Sequence, residues 1–165
     1  MVEKDRIELP KLQGHLCFAC GTANPIGLDL HFYRSGDTIC TDINLDKNYM
    51  GWENMAHGGI ISTLLDEVMS WTIIYFKKVF FVTRKMEIKY IQPVSINVPL
   101  TAKGRLLEDM RKPFIGAKAE LYDNKKTILA RSTGRFAEIP EDELSQVPKD
   151  MKNQMSLLFD RFPSA

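Results

Sequence analysis

The residues best suited to chemistry lie between Gly51 and Trp71. His57-Gly58-Gly59 opens a long apolar segment in which Asp66-Glu67 is the only pair of charges. Burying an unpaired carboxylate costs on the order of several kcal/mol or drives the group neutral. These acids therefore need partners or a wet pocket, and that makes the chain an enzyme candidate.

Read as one helix, His57 to Phe76 puts Asp66 on a stripe with Gly59, Ser62, Thr63 and Ser70, which is small and hydroxyl-rich. Glu67 shares its stripe with the bulky Ile60, Leu64, Trp71 and Ile74. Neighbouring helix residues point about 100° apart, so the two acids cannot serve one site equally. Asp66 is the candidate reactive group, and Glu67 the buried, paired structural acid. The competing reading has Asp66 bonding only to its hydroxyl neighbours. His57 and Asp66 are nine positions apart, about 13.5 Å along a helix rising about 1.5 Å per residue. They cannot pair within one chain. If both act in one reaction they meet across an interface, which predicts a homodimer or homotetramer with shared sites. Bare N–H groups at Gly58 and Gly59, at the positive end of the helix dipole, can hold negative charge developing on a carbonyl oxygen. A glycine pair that merely makes a turn is the alternative.

The elements around this helix follow from a change of period. Leu28–His31 and Thr38–Leu45 are short alternating runs joined by a turn at Ser35-Gly36-Asp37. After the helix, residues 79–91, 100–107, 114–122 and 127–139 are rich in β-branched and aromatic residues, punctuated by Pro93, Pro99 and Asp123-Asn124. Residues 141–162 have helical spacing broken at Pro148, with Leu144, Met151, Met155, Leu158 and Phe159 on one side. Two strands, a helix, four strands and a tail describe an α+β fold, an antiparallel sheet wrapped on one central helix. The expected organisation is an exposed lead-in over 1–14, one domain over 15–139 and a helical tail over 140–165.

At 165 residues the chain is long enough for one core, and a net charge of +1 with no like-charge block gives no support to nucleic-acid or polybasic membrane binding. The charged pair and the hydroxyls inside the apolar segment argue against a spanning helix. Three cysteines and a charged N-terminus unlike a secretory leader make the cytoplasm the expected location. His15, Cys17 and Cys20 have a spacing that could contribute to a zinc site. The sequence offers no evident fourth ligand, Cys40 falling on an expected strand. The expectation is no metal, with the thiols packed in the core.

The run from His57 to Glu67 resembles the signature of the hotdog-fold acyl-CoA thioesterases of the phenylacetate-pathway and 4-hydroxybenzoyl-CoA type. Residues 82–94, with Thr83, Tyr90 and Pro93, resemble that family's strand after the helix. Cys17-Phe18-Ala19-Cys20-Gly21 with Asn24-Pro25-Ile26-Gly27-Leu28 resembles the entry of one subgroup. The resemblance covers roughly residues 15–139. It implies a hotdog fold and hydrolysis of an acyl-coenzyme A thioester, with coenzyme A as part of the substrate and no cofactor. On matching positions, Asp66 would be general base or nucleophile, and the Gly58 N–H would bind the thioester oxygen. His57 would brace that loop, and Thr83 would position the attacking water. Gly59 would let substrate approach the backbone. Related enzymes carry an amide residue six positions before the histidine. That position here is Gly51, which leaves the nearby Asn54 as the candidate amide. Arg84, Lys85 and Arg131, with Lys89 and Arg135, are candidates for the coenzyme A phosphates. The rival functions are an acyl-thioester-binding module without turnover and a hotdog-fold hydratase or dehydratase.

Overall fold

A computed structural model describes residues 6–108 and 110–163, and residues 1–5 of the expected lead-in lie outside it. The strands are β1 (Arg6–Glu8), β2 (Tyr33–Ser35), β3 (Thr38–Asn44), β4 (Phe81–Tyr90), β5 (Pro99–Leu107), β6 (Phe114–Asp123) and β7 (Ile128–Glu138). They form one sheet in the order β1-β2-β3-β5-β6-β7-β4, with every neighbouring pair antiparallel. The long helix α1 (Gly58–Lys77) packs on β3, β5, β6 and β7, and the short helix α2 (Lys149–Arg161) ends the chain. This is the α+β arrangement expected from the period change.

Helix α1 forms because its apolar residues fill more than one stripe. Ile61, Leu64, Leu65, Val68, Met69, Trp71, Ile73 and Tyr75 are all buried. By length and hydropathy it could cross a membrane, but much of it is buried inside this fold. His57 is its N-cap, extended at φ −63° and ψ 134°, and its Nδ1 accepts the Gly59 N–H at 2.9 Å. Lys78 closes the helix in the left-handed region at φ 52°. Close approach to the sheet depends on Gly104 of β5, where a Cβ would meet Thr72 Oγ1 and sit 2.9 Å from the Val68 carbonyl. The tail breaks at Pro148, as its sequence suggests, and α2 buries Leu158. Phe162 then packs edge-on to Trp71 at 6.3 Å.

Two expectations fail at the N-terminal edge. Leu28–His31 is not a strand: the N–H groups of Leu28 and Leu30 bond to the carbonyls of Phe18 and Ala19, so this stretch folds onto the preceding loop. Its alternation is real, since Leu28, Leu30 and Phe32 are buried, but the strand begins only at Tyr33. The lead-in is also not wholly exposed, because Arg6–Glu8 pairs with β2 and Leu9 is buried. Three residues are too few for a periodic signal.

Candidate functional site

Asp66 lies mid-helix, half-buried, and its one side-chain hydrogen bond among the described residues comes from Thr83 Oγ1 at 3.2 Å. That bond depends on a β-bulge. Met86, Ile88 and Tyr90 pair with Gly134, Ser132 and Ala130 and share the helix-facing side of the sheet. Simple alternation would send Thr83 to the opposite face with Lys85. The register shift between Thr83 and Lys85 instead pairs Thr83 with the fully buried Phe136, aiming its hydroxyl toward α1. Burial pushes the Asp66 carboxyl above the usual carboxylate range, and the Thr83 bond pulls the other way. The helix hydroxyls that the competing reading assigns to Asp66 bond elsewhere. Ser62 Oγ donates to the Gly58 carbonyl at 2.9 Å and Thr63 Oγ1 to the Gly59 carbonyl at 3.0 Å. Ser70 opens onto a separate cavity.

The helix start is a second cluster. With Gly59 N–H taken by the His57 ring, Gly58 N–H has no acceptor among the described residues. Tyr90 steadies this turn: its hydroxyl donates to the Gly58 carbonyl at 3.0 Å and lies 2.7 Å from Ser62 Oγ. In the sequence Tyr90 stands out only as part of a strand motif. Its position two strand residues after Ile88 on the helix-facing side was the available signal. Gly51 packs on His57, where a Cβ would lie a tight 3.1 Å from the His57 Cα. Asn54 sits in the same loop at φ 61°, exposed, its carbonyl accepting from Ile96 N–H. Gly51, Trp52, Ala56, His57 and Gly58 line a hollow of about 340 Å³, with Trp52 81% exposed.

Within one chain these clusters stay apart. Asp66 lies eight helical steps beyond Gly58 in an unbroken helix, about 12 Å of rise. Strand β4, ten residues long, pairs only with β7, so its outer edge is free among the described residues. Lys85 lies on the outer face opposite Arg135, and Arg131 on the same face opposite Lys89. Arg84 is exposed at the bulge. None of these cations contacts Asp66 or the helix start. A depression of about 1030 Å³ sits at the far end of α1 around Lys77, Arg105 and Phe114 and shares no lining residue with the site.

Glu67 faces elsewhere, as its stripe suggests. It accepts the Trp71 indole N–H at 3.1 Å and lies 4.0 Å from Cys17 Sγ. Burial raises its carboxyl to about 7, and negative charge on Cys17 adds to the effect. It lines a mostly apolar cavity of about 250 Å³ with Cys17, Cys20, Trp71, Phe80 and Met155.

Residues 53–111, which carry α1, β4 and β5, match the family model of the thioesterase superfamily. Over 78% of this chain and 69% of the other, a thioesterase superfamily protein of 18% identity superposes with a TM-score of 0.69. The E. coli PaaI protein from the phenylacetic acid degradation operon has 15% identity, covering 68% of this chain and 81% of its own, with a TM-score of 0.62. A hypothetical thioesterase protein from Streptococcus pneumoniae, solved with coenzyme A, has 18% identity, covering 62% of this chain and 81% of its own, with a TM-score of 0.58. The fold is the hotdog. No curated protein matches the sequence. The hotdog helix is α1, and the matched segment holds Asp66, Thr83, Gly58 and His57 together.

Proposed function

We propose that this chain hydrolyses an acyl-coenzyme A thioester to a carboxylic acid and free thiol, at a site completed by a second copy. Asp66 acts as general base on water or as nucleophile, and Thr83 orients that carboxylate. The Gly58 N–H receives the negative charge that develops on the thioester oxygen. His57 braces the glycine turn through Gly59, and Asn54 lies beside it in reach of substrate. Arg84, Lys85 and Arg131 are the candidate contacts for the coenzyme A phosphates.

The observation that carries this reading is a mismatch within the single chain. A half-buried carboxylate and an N–H without an acceptor among the described residues lie about 12 Å apart on one helix. The exposed edge of β4 supports pairing with another copy, since long free edges are normally covered. The coenzyme A bound to the Streptococcus pneumoniae neighbour supports the substrate class. The test is a panel of acyl-CoA esters with a thiol-trapping reagent, comparing the protein with Asp66→Asn. Turnover abolished in the variant is the expected result. Unchanged turnover in Asp66→Asn removes Asp66 from its role, and tight binding without turnover converts the reading to a ligand-binding module.

A further inference from the structure

On the flank of α1 that carries Glu67, about 100° round from Asp66, two thiols and a carboxylate from distant parts of the chain converge. Cys17 Sγ, Cys20 Sγ and a Glu67 carboxylate oxygen all lie within 4.8 Å of one another. The thiols come from a tight loop in which Gly21 N–H bonds back to the Cys17 carbonyl at 2.9 Å. Only glycine fits at position 21, because a Cβ would collide with the His15 and Cys17 carbonyls. Such a turn is how a Cys-x₂-Cys pair presents two sulfurs to one ion.

We infer that Cys17, Cys20 and Glu67 form a site for one thiophilic divalent cation of the zinc class. Tetrahedral zinc, with bonds of about 2.3 Å to sulfur and about 2.0–2.2 Å to oxygen, sets ligand atoms about 3.5–3.8 Å apart. The 4.0 Å separation of Cys17 Sγ and Glu67 Oε1 is within a small side-chain adjustment of that. Two sulfurs select a soft ion over magnesium or calcium. Trp71 holds the carboxylate from its indole N–H, the outer-shell bond that metal-binding side chains ordinarily have. The lysine on the cavity wall, Lys11, is held by Asp29 at 2.7 Å and does not supply the missing positive charge. His15 accepts the Cys17 N–H on Nδ1 and lies outside the three-atom cluster. The fourth position therefore faces the cavity of about 250 Å³, open to water or a small ligand. Binding releases the two thiol protons to solvent and ties the loop at 15–21 to α1. The sequence could not display this site because its third ligand is fifty residues away.

The rival use of a Cys-x₂-Cys pair is a disulfide, but both thiols are free here, and a disulfide has no need of an oriented carboxylate. The experiment uses untagged, reduced full-length protein titrated with Co²⁺, alongside elemental analysis of metal per chain and the intact mass. One Co²⁺ per chain is expected, with the intense visible bands of tetrahedral cobalt and a thiolate charge-transfer band. Both features disappear in Cys17→Ser/Cys20→Ser, and Glu67→Gln raises the Kd by more than about tenfold, at least the effect of losing an outer-shell partner. The wild-type spectrum decides the matter even if a variant misfolds. Pale octahedral cobalt bands, uptake that persists in the double variant, or a mass lighter by two hydrogens in metal-treated protein would each overturn the proposal.

Discussion

Replacing Gly58 with proline removes one hydrogen atom from the proposed site and little else. Proline is favoured at the first position of a helix, where its fixed φ suits the turn and the lost N–H has no intrahelical acceptor. Residues before proline must be extended, and His57 already has ψ 134°. A Cβ at Gly58 meets the Tyr90 hydroxyl at 3.6 Å, an ordinary contact. The variant should therefore fold, melting close to Gly58→Ala, which keeps the N–H and serves as control. If this N–H stabilises the charge on the thioester oxygen, Gly58→Pro loses about 10²–10³ in kcat, equivalent to about 2.7–4 kcal/mol, relative to that control. The assay is continuous thiol release from an acyl-CoA substrate, with melting temperatures measured in parallel. Equal kcat in the folded proline and alanine variants would refute the oxyanion role.

Thr83→Val should move the acid limb of the pH–rate profile upward. The Thr83 bond favours the ionised form of Asp66, so losing it raises a carboxyl already raised by burial, and the base stays protonated to higher pH. A profile that overlays the wild type would exclude the interaction. Glu67→Gln should stabilise metal-free protein at pH 8 but not at pH 4.5. A carboxyl lifted to about 7 from an ordinary value of 4.5 adds no penalty below its unfolded value. Its relative stability is lost as pH rises through 7, on the order of 3 kcal/mol in full. Urea melts at both pH values check this, and a pH-independent difference between the proteins would contradict it. Gly104→Ala should destabilise the fold by about 1–3 kcal/mol, since the methyl runs into the Val68 carbonyl and Thr72 of α1. A denaturant midpoint within error of wild type would show that the helix can lift off β5 freely.

The elements most legible in the sequence were those with long, clean periods. The apolar run of α1, the four strands after it and the break at Pro148 all appear within a few residues of expectation. Asp66 and Glu67 also face different environments, as the 100° step between neighbours requires. What escaped the sequence depended on contacts between distant segments. The bulge that turns Thr83 inward is an irregularity of pairing with β7, and no local pattern announces it. Tyr90 steadies Gly58 across thirty-two residues, and Glu67 reaches Cys17 across fifty. At the N-terminal edge the alternation of Leu28, Leu30 and Phe32 reported burial correctly, while hydrogen bonding to the preceding loop decided against a strand.

Co-expression of Asp66→Asn with Gly58→Pro tests the shared site most directly. Each variant alone lacks one half of every site, whereas a mixed dimer rebuilds one intact site from Asp66 of one copy and the Gly58 N–H of the other. Random pairing makes half the dimers mixed with one working site of two, so about a quarter of wild-type acyl-CoA hydrolysis should return. Activity no higher than the average of the two single variants would mean that Asp66 and Gly58 do not meet across copies.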